Sequence, residues 1–456
     1  MRILTIVDKL SAGGRQRVAQ DYTLGYRKYG AMVAVLALQA SGPRLEVLRQ
    51  AGVPVFVGGD PEQMARAVEE AGAWGADVLH LHSEGPVRDF EAEAIRALLR
   101  GRSRRPAVLE TASFGRVDYR QRFQETDVHL LVAPWVLWRW QQWARPLRPP
   151  PLGAVVPNIV DATRFFPAAP SDVAAFRRAH GIPTNAFVFG CVARPDPLKW
   201  PGFMFEAFEE VARAHPSAFF VGAGFDDTAR ARIAAFPEDV RRRVVELPFL
   251  HDDEVLRTCY SAMDVFLHGS PIGETFGLVF GEALLCGTPI VTHSTPARHN
   301  SQLGVVGHER GGLVAASERY VAVAMARLLT TPALVEQLAR RGSEYVRQHY
   351  TEEHVIPLLL RVIGHAQQAS SRAALGAALG ADPGIVTHVP DEHVRSLLAN
   401  TLGRTPLRAR ILMRLVHKPA LFRAWWAIKG RLRRQPDTDP AMPPSASVSA
   451  SVSDHA

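Results

Sequence analysis

Residues 273–291, GETFGLVFGEALLCGTPIV, leave a fold little choice. Between 276 and 286 the apolar residues Leu278, Val279, Phe280, Ala283, Leu284, Leu285 and Cys286 surround a predicted helix on nearly every side. Such a helix belongs inside a large domain. Gly287 stops it, and 288–291 then reads as a buried strand. Two carboxylates interrupt the apolar run, Glu274 at its mouth and Glu282 in its middle. A carboxylate rarely sits in such surroundings without a partner. Gly273 and Gly277 let the backbone come close to a ligand, where free N–H groups at the helix N-terminus favour an anion. The stretch predicts a pocket with acids for hydroxyls and amides for phosphates, the chemistry of a sugar nucleotide.

The chain around this stretch alternates strand and helix. Strands are predicted over 2–7, 32–38, 53–57, 77–81, 107–110 and 128–132, with helices over 61–72 and 89–99. After a Pro/Ala-rich segment at 167–171 and a Gly-Ile-Pro break at 181–183, a second unit opens with a strand over 187–192 and repeats the rhythm. That pattern predicts mostly parallel, doubly wound sheets, whose strand ends form the functional rim. At 456 residues the chain has room for two such domains and an appendage.

The loop after the 187–192 strand, Ala193-Arg194-Pro195-Asp196-Pro197-Leu198-Lys199, carries two cations on a proline-pinned turn. Arg194 suits a bidentate grip on a diphosphate and Lys199 acts as a point charge. The first strand runs into Gly13-Gly14 and then Arg17, an anion-friendly corner. On the 77–81 strand, His80 and His82 share a face, with His82 nearer the C-terminal end.

Glu-x7-Glu with its E-T-F-G mouth and G-T-P-I-V continuation resembles the donor-binding signature of retaining glycosyltransferases of the GT-B fold, glycosyltransferase family 4 (group 1). The Arg194-x4-Lys199 pair, G-G-x-x-R at 13–17 and N-I-V-D-x-x-x-F at 158–165 fit the same resemblance, with Ile159 where glycine is usual. The resemblance implies an α/β GT-B architecture of two Rossmann-like doubly wound domains facing a cleft; it stops past residue 369, where composition alone predicts a basic helical C-terminal extension. It assigns 1–165 to an acceptor domain, 183–350 to a nucleotide-sugar donor domain and 351–368 to a helix crossing back. It implies donor contacts from Arg194, Lys199, Leu250, Glu274, Thr275, Phe276, Gly277, Leu278 and Glu282. Arg194, Lys199 and Glu274 carry the catalytic roles, Glu274 on sugar hydroxyls and Glu282 on the ribose diol. Gly13, Gly14, Arg17, His82 and Ser113 fall on the acceptor side. Ser113 is a departure, standing where many members have a histidine. The expected activity is metal-independent, cofactor-free hexosyl transfer from a nucleotide diphosphate sugar to a glycan, lipid-linked or small-molecule acceptor. The competing expectation is a non-catalytic GT-B-shaped scaffold at a membrane in a polysaccharide pathway.

Three cysteines, Cys191, Cys259 and Cys286, without metal-ligand spacing, point to a reducing compartment. No apolar run approaches the roughly 20 residues of a bilayer span, and a strand rather than a signal peptide is predicted at residues 2–7. The expected location is cytoplasmic, peripheral at the inner face of the membrane. The net charge of +8 raises the question of a polyanion, and an anionic lipid surface or phosphorylated substrate is expected rather than nucleic acid. Two segments are candidates for that surface. Residues 134–148 interleave Trp135, Trp138, Trp140 and Trp143 with arginine, and 385–435 form a basic, aromatic, amphipathic extension. Residues 436–456 are expected to be disordered. A dinucleotide oxidoreductase is disfavoured by the lack of G-x-G-x-x-G after the first strand.

Overall fold

The computed structural model describes residues 1–119, 121–418 and 420–421. Among these residues, thirteen strands are arranged in two sheets. The first comprises β1 (Arg2–Lys9), β2 (Met32–Ala40), β3 (Val55–Val57), β4 (Val78–Ser83), β5 (Ala107–Ala112), β6 (Val128–Leu131) and β7 (Gly153–Val155). The second comprises β8 (Phe187–Val192), β9 (Ala218–Ala223), β10 (Val244–Leu247), β11 (Val265–Leu267), β12 (Ile290–His293) and β13 (Gly312–Ala315). Their orders are β3-β2-β1-β4-β5-β6-β7 and β10-β9-β8-β11-β12-β13. The pairings that join β1 to β2 and β4, and β8 to β9 and β11, are parallel. Each order reverses direction at one point, β1/β4 in the first sheet and β8/β11 in the second. A crevice for ligands opens at the carboxyl ends of strands at such a point.

Helix Glu352–Gln368 returns to the first sheet. Its residues Val355, Ile356, Leu359, Val362 and Ile363 are fully buried in one core with Tyr22, Tyr26 and Leu109, and Lys28 pairs with Glu352 at 2.5 Å. A separate core spans both domains, joining Val160, Phe165, Phe280 and Leu284 to the tryptophans of helix Pro134–Ala144.

Those tryptophans correct one expectation. Trp135, Trp138, Trp140 and Trp143 are only 2–7% exposed, so 134–148 does not offer its rings to a membrane. Trp138 Nε1 donates to Asp391 at 2.7 Å, Trp143 Nε1 to the Val416 carbonyl and Trp135 Nε1 to the Arg298 carbonyl. An amphipathic ring satisfies its polar tip equally well against protein, which is why the pattern alone does not distinguish the two settings.

The C-terminal region contributes helices Arg372–Ala381, Asp391–Ala399 and Leu407–Val416, starting earlier than the predicted 385. It touches both domains. The Val155 N–H donates to the Val386 carbonyl, and Leu402 lies beside β13, exchanging backbone bonds of 2.8 Å with Val314 and Ala316. His417 sits among Trp135, Trp138 and Trp143 and bonds the Pro296 carbonyl at 3.2 Å. The 422–435 part of the expected extension, and the tail 436–456, lie outside the described residues.

Other boundaries shift for local reasons. The helix predicted from 276 begins at Leu278, because Gly277 adopts φ +81° and cannot extend it. Helix Pro170–Ala179 fills the segment between the Pro/Ala-rich stretch and the Gly-Ile-Pro break, where no element is predicted. Proline at its first turn and Asp172 favour it, yet it buries no residue and so shows no apolar stripe. Strand β4 runs to Ser83, enclosing His82 rather than ending before it. No single described helix is long and apolar enough to cross a membrane.

Candidate functional site

The site assembles at the β8/β11 reversal. The loop leaving β8 is pinned by Trp200, whose buried indole donates to the Gly224 carbonyl at 2.7 Å and the Arg194 carbonyl at 3.1 Å. Asp196 caps the Leu198 N–H at 2.9 Å. This turn delivers Lys199 to the loop leaving β11, where its ammonium pairs directly with Glu274 Oε1. The same oxygen meets His268 Nε2 at 3.0 Å, and the other ring nitrogen of His268 faces Thr292 Oγ1 at 3.2 Å. Burial alone would raise the Glu274 carboxyl, but Lys199 and then His268 hold it well below the usual carboxylate range. Burial pushes His268 down, against the pull of Glu274. Glu274 is therefore an anion held between two nitrogen groups.

Gly273 makes this possible. It has φ +64°, and a Cβ there would lie 1.9 Å from the His299 carbonyl oxygen. The Glu274 backbone is then clamped by Ser301, which donates to its carbonyl at 3.1 Å, and Gln302, which accepts from its N–H at 3.3 Å. Three buried polar atoms of these loops have no protein partner: Ser270 Oγ, His299 Nε2 and Ser301 Oγ. Buried polar groups are normally satisfied, so their setting suits a polar ligand.

Helix Leu278–Leu285 follows, its N-terminus at Gly277 without a side-chain cap. That leaves first-turn N–H groups available to an anion. Thr275 and Leu278 are half-buried there. Phe276 is buried against Tyr350 at 5.0 Å, so only its backbone faces the mouth. One turn further, Glu282 is buried; Tyr260 donates to it at 3.1 Å, and Arg17 of the first domain approaches at 3.9 Å. Burial raises the Glu282 carboxyl, with Arg17 only partly offsetting it.

The remaining predicted residues separate into groups. Arg194 is exposed on the Lys199 loop and pairs with no carboxylate among the described residues. Leu250 is half-buried beside the domain-spanning core. Gly13 and Gly14 are exposed at the start of helix Gly14–Lys28, and no φ there requires glycine. Arg17 reaches the second domain, at 3.4 Å from Asp253, where Arg164 also pairs at 3.3 Å. His82 does not open onto the cleft surface. It is fully buried against His80 at 4.3 Å and Tyr22 at 5.5 Å, its ring nitrogens unpartnered, and burial drives it well below its ordinary pKa. Ser113 is half-buried and its N–H donates to the Ser83 carbonyl at 3.3 Å. Its neighbour Phe114 makes the crossing instead, its ring tilted against that of His299 with centroids 5.6 Å apart.

Several residues of the site carry no recognisable motif. His268 is one. Arg15 is another, bonded to buried Asp8 at 2.8 Å and to the His82 carbonyl at 3.0 Å. Arg139, read as part of a membrane belt, is buried across the cleft. It donates to the Phe114 carbonyl at 2.9 Å and meets His299 Nδ1 at 2.7 Å; burial, then Arg116 and Arg298, lowers it to about 9. Its long-range partners leave no trace in local spacing. Among the described residues no group of three or more His, Cys, Asp or Glu is placed to hold a metal ion.

Comparison with known proteins places the geometry. Residues 186–331 match the family described as Glycosyl transferases group 1. The D-inositol 3-phosphate glycosyltransferase of Corynebacterium jeikeium is 33% identical over 149 residues, 31% of this chain and 35% of that protein. The counterpart of the same name in Saccharomonospora viridis is 29% identical over 238 residues, 48% of this chain and 52% of that protein. The matches thus span about a third to a half of these relatives' own length. Among solved structures, HepE of Anabaena in complex with UDP and glucose aligns with a TM-score of 0.61 at 18% identity, covering 80% of this chain and 99% of that one. A glycosyltransferase of Rickettsia africae aligns with a TM-score of 0.67 at 12% identity, covering 81% and 99%. With two doubly wound sheets and these structural likenesses, the chain has the GT-B fold, and residues 186–331 of its second domain are similar to the group 1 glycosyltransferases.

Proposed function

We propose that the protein is a retaining glycosyltransferase whose donor is a nucleotide diphosphate sugar. The observation that carries the reading is the Lys199–Glu274–His268 cluster at the β8/β11 reversal, beside an uncapped helix N-terminus with Glu282 one turn into that helix. The neighbour HepE, solved with UDP and glucose, supports the donor class.

In this reading the diphosphate lies against Lys199, Arg194 and the first-turn N–H groups near Leu278. The bond from the anomeric carbon to phosphate oxygen breaks, and its electron pair leaves with the diphosphate. These cations and amides stabilise the charge where it develops. Glu274, kept ionised, accepts hydrogen bonds from donor-sugar hydroxyls, and Glu282 accepts from the ribose diol. An acceptor hydroxyl forms the new bond on the face the phosphate leaves, giving retention, and passes its proton to the departing phosphate oxygen. The first domain positions that acceptor, a glycan, lipid-linked or small molecule, through the β1 and β4 loops and residues 113–116. Work in the cytoplasm and hexose as the transferred sugar belong to the same proposal.

Calorimetric titration with UDP-sugars and GDP-sugars tests donor binding, and mass spectrometry of products from a donor library tests transfer. The reading expects one donor class to bind, and Lys199→Ala and Glu282→Ala to lose turnover. Undiminished transfer in both variants sinks the site assignment. A protein that binds neither donor class is a scaffold instead.

A further inference from the structure

We propose that the C-terminal extension is a docking site for an anionic phospholipid bilayer. Arg395, Arg404 and Arg410 hold lipid phosphates, and the outer face of helix Leu407–Val416 meets the acyl chains.

Two features of the surface coincide here. The first is a cavity of about 460 Å³ between helices Asp391–Ala399 and Leu407–Val416 and the segment after β12, lined by Arg395, Arg404 and Arg410 with Leu398, Met413 and Pro296. All three arginines are exposed, and none pairs with a carboxylate among the described residues. A cavity with three unpaired guanidinium groups over an apolar floor suits a phosphate ester that carries an apolar body.

The second is helix Leu407–Val416, which has no fully buried residue. Ala409, Met413 and Val416 face inward, half-buried. At helical spacing the outer face presents Leu407, Ile411 and Leu415, exposed by 63%, 50% and 44%. Leu412, on the same helix, and Leu421, further along the chain, are exposed as well. Five of the fourteen large apolar residues exposed among the described residues thus fall within 407–421, so the stripe is a patch and not ordinary scatter. Arg410 and Arg414 flank one side of it and Arg408 the other. That arrangement lets apolar side chains enter an interface while guanidinium groups stay at headgroup level.

Charge selects the occupant. From 393 to 436 the sequence holds eleven Lys or Arg and no acid. A second copy of the chain would set this cationic face against itself, and residues 422–435, which hold five of the eleven, carry the same sign. Nucleic acid matches the charge but leaves the apolar stripe uncovered. An anionic bilayer satisfies both. Pro296, on the cavity wall, lies three residues before His299, so docking sets the mouth of the cleft beside the membrane surface.

The test is sedimentation of the full chain with vesicles of phosphatidylcholine alone or with about one-third phosphatidylglycerol. Three proteins are compared: the wild type, an apolar variant (Leu407→Gln, Ile411→Gln, Leu415→Gln) and a charge variant (Arg395→Gln, Arg404→Gln, Arg410→Gln). Every substituted side chain is exposed, so thermal melts should coincide. The expected result is binding to the anionic vesicles only, reduced about tenfold or more in each variant and weakened by salt. Equal binding to phosphatidylcholine, or no loss in either variant, overturns the proposal. So does tight binding of soluble glycerol phosphate or inorganic phosphate that the apolar variant retains, which would mark a small-anion site. Self-association abolished by the apolar variant, with vesicle binding unchanged, would identify a contact between copies and overturn it as well. The readout needs neither donor nor acceptor, so its failure leaves the transferase reading untouched.

Discussion

Replacing Lys199 by methionine removes the ammonium from Glu274 and keeps the side-chain stem. Both partners are largely enclosed, Glu274 with 18% and Lys199 with 23% of the side chain exposed. Two unit charges about 4 Å apart at an effective dielectric constant of about 20 interact by about 4 kcal/mol. Partial exposure and the remaining His268 contact reduce the loss, so the variant should be about 2–3 kcal/mol less stable at pH 7, near the lower end for breaking a buried pair. For a domain of this size that lowers Tm by about 4–12 °C. The pH dependence makes the test specific. In the wild type the Glu274 carboxyl is held below its ordinary value of 4.5. Its stabilising contribution is therefore fully present above that pH and fades only as pH falls toward the depressed folded value. Between pH 7 and 5 it is constant. In the variant, burial without Lys199 raises the carboxyl, and a proton shared with His268 relieves the lone buried charge as pH falls. The stability gap between the two proteins should narrow from pH 7 to pH 5. Urea denaturation at both pH values measures it. A gap below about 1 kcal/mol and unchanged with pH would show that the pair contributes no more than a surface bridge, and the reasoning would fail.

Glu282→Gln should weaken nucleotide binding by about tenfold or more by calorimetry. It should leave Tm at pH 7 unchanged or slightly higher, because burial already disfavours the Glu282 anion. A large Tm loss with intact binding would make Glu282 structural. Gly273→Ala places a methyl against the His299 carbonyl in a left-handed backbone position. It should cost about 1–3 kcal/mol and weaken donor binding together; a scan matching the wild type would contradict the geometry. Ending the chain at Gln368 uncovers Trp135, Trp138 and Trp143, each of which buries apolar area worth about 4–6 kcal/mol. That truncation should bind a hydrophobic dye and aggregate, and a soluble, cooperatively melting product would contradict the packing described.

Lys199, Glu274 and Glu282 were legible because each is a charge beside a glycine, a proline or an apolar run, and such breaks in local pattern are visible in one dimension. The two parallel sheets were legible from the repeating strand–helix rhythm. His268 was not, because its role comes from a loop closing on it six residues later and from Thr292 on the adjacent strand β12. The tryptophan segment misled because Trp138 finds its partner 253 positions away at Asp391. Nothing near Trp138 records that distance. His82 resembled a rim residue only while β4 was thought to stop at 81. Arg139 has no carboxylate to announce it, and its neutral partners, Phe114 and His299, belong to different domains.

Arg17 and, in the proposed reading, the donor's ribose both lay claim to the Glu282 carboxylate. Under the proposed reading the nucleotide sugar must occupy an acid that a guanidinium from the opposite domain already approaches, with Asp253, Arg164 and Asp161 forming the rest of that latch. Whatever free energy holds the latch is subtracted from donor affinity. Moderate salt would then loosen the latch while it screens the diphosphate, so affinity should fall with ionic strength less steeply than the donor's charge alone dictates. Arrival of the donor then frees Arg17 from Glu282, while the core shared by the two domains and the Asp253 pairs keep the halves together.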